Sequence, residues 1–348
     1  MKYTKVYVDA ITYELPPQVV TTAELEDKLE PLYQKLFIPK GQVENLTGIK
    51  ERRWWHEGFK LADGAITAAG KALDKTSVSA KDIEAVVYGG VYHEIFEPAT
   101  ACRVAAELGV SPNATVHDIN NACLGMVDGM VDVANRIELG QIRAGLVVAS
   151  ETAREPVTES IEQMLENGTM EFFAKTIAAI TAGSGSAAVL LTDGSFELSH
   201  GRHKLLGGAI QSAPEHHNLC RWGHERLGSR RIKEFSCTDA VGIMKNGVDL
   251  GKRTFSRFLK EVGWELDDVD KIIAHQVAKP NRVSALEAGG LPEEKEFPTF
   301  HYLGNMGSVS LPATAAIAEE EGFLQPGDQV SFFGIGSGLV CMMLGLNW

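Results

Sequence analysis

The feature that most restricts the fold is an internal repeat of strand-like segments. Residues 81–88, in which acidic residues lead into an apolar run, resemble residues 266–273, and residues 145–149 resemble residues 329–333. Both pairs are separated by about 185 residues. Short apolar runs rich in valine and isoleucine, alternating with helical segments, are typical of strands that helices cover on both faces. The repeat therefore predicts two similar α/β halves that pack together.

A third pair of similar segments locates an insertion. Residues 182–187 resemble residues 335–340, but their separation is only 153 residues. The shortfall of about 32 residues places an insertion in the first half, near residues 151–181. Its apolar residues stand among acidic ones, which predicts helices with one apolar face that could cover a substrate channel, form a subunit interface or pack on the surface. We therefore assign the halves to residues 1–194 and 195–348.

Composition excludes several classes of function. The chain has 348 residues, of which 44% are hydrophobic, enough for two halves with a large core. A net charge of −13 argues against a nucleic-acid partner, because neutralising phosphates requires a basic face. No apolar run approaches the length that crosses a membrane, and the first residues lack a signal-peptide pattern. We therefore expect a cytoplasmic protein without a membrane span.

The cysteines predict neither disulfides nor a metal site. There are five, an odd count, and none forms a Cys-x-x-Cys pair. Four of them lie in no recognisable motif and are interpreted as core or incidental residues: Cys102, Cys220, Cys237 and Cys341.

The fifth, Cys123, lies where a strand-like run at residues 115–119 gives way to an amphipathic helix. Apolar residues recur on one face of this helix from about residue 123 to residue 139. In the first turn of a helix, free N–H groups and the dipole favour the thiolate, which is the nucleophilic form of cysteine. A lone cysteine can equally be a small buried hydrophobe, so other residues must decide.

Two downstream residues complete a set suited to acyl transfer. His275 follows a short apolar strand, and Asn305 lies in a glycine-flanked turn before a helical run. An imidazole at a strand end can hold a proton or donate to an oxyanion, and an amide can donate a second hydrogen bond without titrating. Each also has an ordinary explanation, since Asn305 tolerates a left-handed turn and His275 could cap a strand.

Five motifs in order resemble the ketoacyl synthase III branch of the thiolase superfamily. They are Thr47-Gly-Ile-Lys-Glu-Arg-Arg53, Asn121-Ala-Cys123, His275-Gln276, Gly304-Asn305 and Gly334-Ile-Gly-Ser-Gly338. The resemblance covers nearly the whole chain. It implies a thiolase fold, in which two pseudo-repeated α/β halves pack as a five-layered αβαβα core. It also implies a catalytic Cys123, His275 and Asn305, an oxyanion site formed by the backbone N–H groups of Cys123 and Ser337, and no cofactor besides coenzyme A thioesters as substrates.

Glu97 distinguishes between subfamilies. It precedes Pro98, where ordinary ketoacyl synthases III carry an aromatic residue, and it lies 26 residues before Cys123. A malonyl donor forms its carbanion by losing carbon dioxide, whereas a plain acyl-CoA must give its α-proton to a base. Glu97, desolvated in an apolar tunnel between Phe96 and Pro98, could be that base, or it could merely stabilise a helix N-terminus.

The run Ile-Phe-Glu-Pro-Ala-Thr around Glu97 resembles the OleA type of thiolase, which joins two fatty acyl-CoAs head to head into a β-keto acid. The resemblance implies a homodimer in which Glu97 reaches the neighbouring subunit's site. It also implies a place in fatty acid metabolism and long-chain olefin biosynthesis. Three alternatives stay open: a synthase III that uses malonyl carrier protein, a hydroxymethylglutaryl-CoA synthase-like condensation, and a non-condensing acyltransferase or inactive partner subunit.

Arginines offer candidate sites for the phosphates of coenzyme A. Arg52 and Arg53, beside two tryptophans, form one candidate. Arg221 forms another, together with Arg230, Arg231 and Lys233. A solvated turn that carries charge for solubility explains each group equally well.

Overall fold

The valine- and alanine-rich runs of both repeats form strands in the computed structural model, which describes residues 1–197, 201–227 and 231–348. The strands described are β1 (Tyr7–Glu14), β2 (Gln18–Thr21), β3 (Glu51–Trp54), β4 (Ala85–Tyr88), β5 (Thr115–Asp118), β6 (Ala144–Glu151), β7 (Gly185–Thr192), β8 (His203–Ser212), β9 (Cys220–Leu227), β10 (Arg231–Thr238), β11 (Lys271–Ala274), β12 (Gln329–Gly336) and β13 (Val340–Asn347).

Helices separate these strands. The α-helices described are α1 (Thr22–Lys28), α2 (Glu30–Leu36), α3 (Gln42–Thr47), α4 (Leu61–Asp74), α5 (Thr100–Leu108), α6 (Gly125–Glu138), α7 (Arg154–Asn167), α8 (Met170–Thr176), α9 (Ala240–Val262), α10 (Lys279–Gly289), α11 (Phe300–Leu303) and α12 (Ser310–Glu320). Within the described ranges, no helix combines the length and the apolar character that crossing a bilayer requires.

Nine strands form one mixed sheet in the order β11-β12-β13-β8-β1-β7-β6-β4-β5. Counting outward from β1 gives β7, β6, β4 and β5, and counting outward from β8 gives β13, β12 and β11. The repeated segments therefore occupy equivalent positions, because β4 matches β11 and β6 matches β12. Strand β4 runs parallel to β5 and β6, as β11 does to β12. The division between residues 194 and 195 stays a prediction, since the sheet continues through both halves.

Successive side chains along the central strands point to opposite faces of the sheet and so pack in two different helical layers. Val86 and Val148 pack with α4 and α5 on one face, whereas Val87 and Val147 pack with α6 and α12 on the other. The core around α6 and α12 also includes Phe332 and other residues of β12 and β13. Helices α9 and α10 cover the remaining face of the second half. Because the strands of both halves of this continuous sheet pack against α6 and α12, the layers run helices, sheet, helices, sheet, helices.

The segment expected to be an insertion forms α7, α8 and a 3₁₀ turn at Ile177–Thr181. Its buried apolar residues, among them Ile161 and Met164, pack with Leu25 and Leu29 near the N-terminus. Other residues of the same segment, including Ser160 and Ala179, line the internal cavity described below. The segment therefore both covers the N-terminal helices and forms part of a cavity wall.

Candidate active site

A cavity of ≈ 1770 Å³ brings the three residues of the expected triad together. Cys123, His275 and Asn305 all line it, as does Ser337. Each follows or precedes a secondary-structure element at one end of the sheet: β5, β11, α12 and β12 respectively. The sequence separates these residues by up to 214 positions, so only the packing of the two halves can assemble them.

Cys123 lies in a tight turn between β5 and α6. The N–H of Leu124 donates to the carbonyl of Asn121 at 2.9 Å. Ala122 has a φ of 46°, a left-handed conformation that strains a residue with a Cβ. The following helix approaches the end of β4 so closely that a Cβ on Gly125 would lie 2.0 Å from the carbonyl oxygen of Gly89. The position of Cys123 is therefore fixed by a backbone contact that only glycine at position 125 permits.

The expected stabilisation of a Cys123 thiolate is wrong for the chain as described. Helix α6 begins at Gly125, two residues beyond the cysteine, so its dipole acts from a greater distance. Burial raises the pKa of Cys123 to about 12, with smaller contributions from the nearby Cys220 and Glu151. At neutral pH the resting group is therefore a thiol, and its attack on an acyl group requires a proton acceptor.

His275 has the properties of such an acceptor. Its backbone N–H donates to the carbonyl of Phe333 at 2.8 Å, which continues the pairing of β11 with β12 by one residue. Burial lowers the pKa of His275 to about 4, so the imidazole is neutral near pH 7. Its Nδ1 has no hydrogen-bond partner among the described residues. The site therefore contains a protonated thiol and a neutral imidazole rather than a thiolate and an imidazolium.

Backbone pairing fixes Asn305 on both sides. Its N–H donates to the carbonyl of Thr181, and its carbonyl accepts from the N–H of Gly183, both at 2.8 Å. The side-chain Oδ1 accepts from the N–H of Gly307 at 3.0 Å. That bond leaves the Nδ2 donor of the amide available to the cavity. The glycine before Asn305 is required by the backbone, since Gly304 has a φ of 67° and a Cβ on it would lie 2.6 Å from the carbonyl oxygen of Thr181.

The turn that contains Ser337 packs against the turn that contains Cys123. A Cβ on Gly336 would lie 3.1 Å from Cγ of Leu124 and 3.6 Å from the carbonyl oxygen of Asn121. The two turns are thus neighbours on one wall of the cavity. The oxyanion role of the Ser337 and Cys123 N–H groups stays a prediction.

Within its own chain, Glu97 is not desolvated. Glu97 is exposed and does not line the cavity. The loop that carries it projects from the end of β4, and Phe96 beside it is fully exposed. Ile95 and Phe96 border the cavity, but no tunnel of the same chain encloses the carboxylate. Delivery of Glu97 to a second subunit stays an expectation.

Arg52 and Arg53 are not positioned to bind coenzyme A at this cavity. Arg52 is completely buried and donates to Oγ1 of Thr22 and to the carbonyl of Ile180, each at 2.9 Å. Burial lowers its pKa to about 10. Arg53 is half-buried and its carbonyl accepts from the N–H of Ser184. Neither residue lines the cavity, and Arg52 instead joins α1 to the end of the insertion.

Arg221 does line the cavity, and it is exposed. Its guanidinium lies 5.6 Å from the ring centroid of Phe235. Of the residues grouped with it, Arg230 and the side chains of Arg231 and Lys233 lie outside the described part of the chain. Arg221 therefore remains the candidate contact for the phosphates of coenzyme A.

Sequence reasoning missed two residues of the cavity wall. Cys220, interpreted as incidental, lines the cavity with its Sγ 3.7 Å from Oγ1 of Thr238. Glu151 ends the fully buried strand β6 and is itself buried. A carboxylate that follows seven apolar or small residues was a usable signal for Glu151. Nothing in the local sequence singles out Cys220.

Comparison with known proteins decides the family. Residues 50–183 match the thiolase N-terminal domain, and residues 259–348 match the C-terminal domain of 3-oxoacyl-[acyl-carrier-protein] synthase III. A protein of Shewanella oneidensis named acyl-CoA:acyl-CoA alkyltransferase is 55% identical over 349 residues, which cover 100% of both chains. This chain belongs to the acyl-CoA:acyl-CoA alkyltransferase family of thiolase-like proteins.

A more distant member of the alkyltransferase family has a solved structure. The Xanthomonas campestris protein of the same name is 31% identical over the full length of both chains. A crystal structure of Xanthomonas campestris OleA superposes with a TM-score of 0.93 and covers 100% of this chain and 98% of its own. The expected thiolase fold is therefore confirmed.

Solved variants of that OleA protein replace a cysteine, a glutamate or a histidine. Its replaced glutamate precedes its replaced cysteine by 26 residues, the spacing of Glu97 and Cys123 in this alkyltransferase family member.

Proposed function

We propose that this enzyme joins two fatty acyl-CoAs by a Claisen condensation without decarboxylation and releases a β-keto acid. The observation that carries the proposal is the convergence of Cys123, His275 and Asn305 on one large cavity, in a chain 55% identical to an acyl-CoA:acyl-CoA alkyltransferase. Apolar residues such as Met244, Phe255 and Leu286 line much of that cavity, as a fatty acyl chain requires. Xanthomonas OleA has been solved with lauric acid and lauroyl-CoA bound.

In the first step, Cys123 takes an acyl group from the first acyl-CoA. The neutral imidazole of His275 accepts the thiol proton, and Sγ attacks the thioester carbonyl. The N–H groups of Cys123 and Ser337 stabilise the tetrahedral oxyanion. The bond from the carbonyl carbon to the sulfur of coenzyme A breaks, and the departing thiolate takes the proton back from His275. The products are acyl-Cys123 and free coenzyme A.

In the second step, the α-carbon of a second acyl-CoA attacks acyl-Cys123. His275, neutral again, and the Nδ2 of Asn305 donate hydrogen bonds to the thioester carbonyl of this substrate. Glu97 removes the α-proton, and the resulting enolate forms the new carbon–carbon bond while the thiolate of Cys123 leaves. The thiolate then recovers a proton and Glu97 releases the one that it accepted, which returns both groups to their resting forms. Hydrolysis of the remaining coenzyme A thioester then gives the β-keto acid.

We further propose that Glu97 acts in the cavity of a second copy of the chain within a homodimer. Support comes from its exposure and from the apolar Ile95 and Phe96 that project with it. Burial of these residues against a partner would remove apolar surface from water and would desolvate the carboxylate. Arg221 is the proposed contact for coenzyme A phosphates at the cavity mouth. A cytoplasmic location stays an expectation from the sequence pattern, and a role in olefin biosynthesis stays an expectation from the resemblance.

One relative favours the alternative of a malonyl donor. A protein of Koribacter versatilis named beta-ketoacyl-[acyl-carrier-protein] synthase III is 27% identical and covers 98% of this chain. Its identity is half that of the Shewanella protein. A decarboxylating enzyme needs no base, so Glu97 would have no role in it.

The deciding experiment supplies myristoyl-CoA alone to the purified protein. We expect free coenzyme A, an α-branched β-keto acid with twice the carbon atoms of the acyl group, and one acyl mass on the peptide that contains Cys123. Cys123→Ala should show neither the mass nor the product. Product formed only after malonyl carrier protein is added, or acyl label on Cys220, would contradict the proposal.

A further inference from the structure

Glu151 is a buried carboxylate in the cavity wall to which the mechanism above assigns no role. Its Oε1 accepts from the N–H of Val91 at 2.8 Å, from Oγ of Ser308 at 2.7 Å and from the N–H of Ser308 at 3.3 Å. Its Oε2 accepts from the N–H of Tyr92 at 3.3 Å. Burial raises the pKa of Glu151, but every one of these partners donates, and their hydrogen bonds favour the ionised carboxylate. Among the described residues, no lysine, arginine or histidine forms an ion pair with it.

These four bonds connect two parts of the proposed site. Ser308 lies in the turn after Asn305, whose Oδ1 accepts from the neighbouring Gly307. A Cβ on Gly307 would lie only 3.1 Å from Oε1 of Glu151, so this turn rests directly on the carboxylate. Val91 and Tyr92, on the other side, begin the loop that leads to Glu97. One side chain therefore holds the Asn305 turn and the start of the Glu97 loop together.

A second carboxylate anchors the far end of the same loop. Asp118 accepts from the N–H of Thr100 at 2.8 Å and from that of Ala101 at 2.9 Å, and it contacts Nδ1 of His93 at 3.2 Å. The loop from Val91 to Thr100 is thus fixed at both ends while its middle projects. Among the contacts of the described residues, only the Glu151 end is also connected to the turn that follows Asn305.

Fold stability alone is a poor explanation for a charge at position 151. A buried carboxylate without a cationic partner is costly, and a neutral side chain of similar size could fill the same space. Glu151 and Cys123 line the same cavity, and the carboxylate contributes to the raised pKa of the Cys123 thiol.

We propose that Glu151 is a positioning residue for the condensation step, fixing the Asn305 turn and the base of the Glu97 loop in one geometry. The inference rests on the proposed function, because it concerns the two residues that act on the second acyl-CoA. Cys123, on a different turn, does not depend on these bonds for its position. Loss of Glu151 should therefore damage condensation more than acylation.

The test compares Glu151→Ala, Glu151→Gln and Ser308→Ala with a matched control, Glu26→Gln. Glu26 is equally buried and accepts from Tyr33, Gly41 and Val43, but it lies outside the cavity. Acylation of Cys123 by myristoyl-CoA is measured in a single turnover, condensation by product formation, and the thiol by iodoacetamide alkylation across pH.

Glu151→Ala should keep acylation within about threefold and lose about a hundredfold in condensation, as a displaced catalytic group does. Glu151→Gln retains an oxygen for Ser308 and Val91 and should condense faster than Glu151→Ala. Ser308→Ala should also lower condensation selectively. Removal of the charge should lower the pH midpoint of Cys123 alkylation in both Glu151 variants, whereas Glu26→Gln should change none of the three measurements.

The inference is overturned if Glu151→Ala condenses at the wild-type rate. It is also overturned if acylation and condensation fall in parallel while the pH midpoint of Cys123 alkylation stays unchanged. If Glu151→Ala does not fold, Glu151→Gln and Ser308→Ala decide on the same criteria. If the wild type makes product only with malonyl carrier protein, the proposed function fails. The ratio of condensation to acylation measured with that donor still decides the role of Glu151, because the Asn305 turn would serve either donor.

Discussion

At the residue scale, the proposed catalytic pair is a thiol and a neutral imidazole, and burial keeps both groups uncharged. The pKa of Cys123 is about 12 and that of His275 is about 4, each shifted against its charged form. At neutral pH, transfer of the thiol proton to His275 is therefore unfavourable at rest. When an acyl-CoA is bound, its carbonyl oxygen takes up the negative charge that develops during the attack. In the proposed mechanism, the thiol proton then moves to His275 as Sγ attacks the carbonyl carbon. The free enzyme should consequently be a weak target for alkylating reagents.

The pH dependence of acylation provides the first prediction. His275 accepts a proton only when neutral, and its pKa is lowered from the usual 6.5 to about 4. The neutral fraction therefore stays near one down to about pH 5 and falls as the pH falls through 4. Single-turnover acylation between pH 5 and 8 should show no loss of rate near pH 6.5. An acid limb near 6.5 would mean that His275 titrates like an exposed histidine and is not the acceptor described.

The amide of Asn305 provides the second prediction. Asn305→Ala removes a donor aimed at charge that develops on the second substrate, which costs about 3 kcal/mol or about a hundredfold in condensation rate. Acylation of Cys123 should change by less than about threefold, since the first step does not use the amide. His275→Ala should impair both steps. Equal losses of acylation and condensation in Asn305→Ala would assign the residue to the fold.

At the element scale, the exposed loop that carries Glu97 leads us to a prediction about the proposed dimer. Glu97→Gln should keep the fold and the acylation of Cys123 but abolish product from acyl-CoA alone, because an amide cannot accept the α-proton. Mixing Glu97→Gln with Cys123→Ala, followed by subunit exchange, should restore part of the activity. In the mixed dimer, one site combines a native Cys123 with a native Glu97 from its partner. No recovery after proven exchange would place Glu97 and Cys123 of one chain in the same site.

Helix α9 contains a glycine from which we predict an effect on the length of the acyl chain that the cavity accepts. Gly251 lines the cavity, and a Cβ there would meet no atom within 4 Å. Gly251→Leu should therefore place its Cβ without a clash, extend into the cavity and discriminate against long substrates. Excluding two methylene groups at about 0.8 kcal/mol each would lower the rate for myristoyl-CoA relative to octanoyl-CoA about tenfold.

The control for Gly251→Leu is Gly70→Leu in helix α4. Gly70 also offers open space for a Cβ, but it does not line the cavity. This variant should leave the ratio of the two rates unchanged. A similar change of ratio in both variants would attribute the effect to the helix substitution itself.

Local pattern was sufficient to predict several elements. The apolar face of α6 is buried as expected from its spacing, and Asn305 lies in a turn that glycine packing enforces. The expectations that failed depend on surroundings distant in sequence. Arg52 is buried by α1 and the end of the insertion, and the pKa of Cys123 is set by a cavity built from both halves. The position of Glu97 concerns a second chain, which a single sequence describes only by resemblance.

On the scale of the whole molecule, the two halves share one central core. The cluster around α6 and α12 includes residues of β1, β6 and β7 from the first half and of β12 and β13 from the second. We therefore expect a single cooperative unfolding transition despite the internal repeat. Scanning calorimetry should give equal calorimetric and van't Hoff enthalpies per cooperative unit, and fluorescence and circular dichroism should give the same midpoint. Two resolved transitions would show that each half has a sufficient core of its own.

The shared layer of α6 and α12 also has a consequence for how such a chain could be divided. Each of these helices is covered on one side by strands of its own half and on the other by the opposite half. Either half alone would expose a large hydrophobic surface to water. It would therefore aggregate or bind another protein through that surface. One half that is transferred alone into another protein is therefore not expected to fold. The two halves can differ in the elements that they carry, such as α7 and α8 of the first half, but we expect neither half to fold without the other.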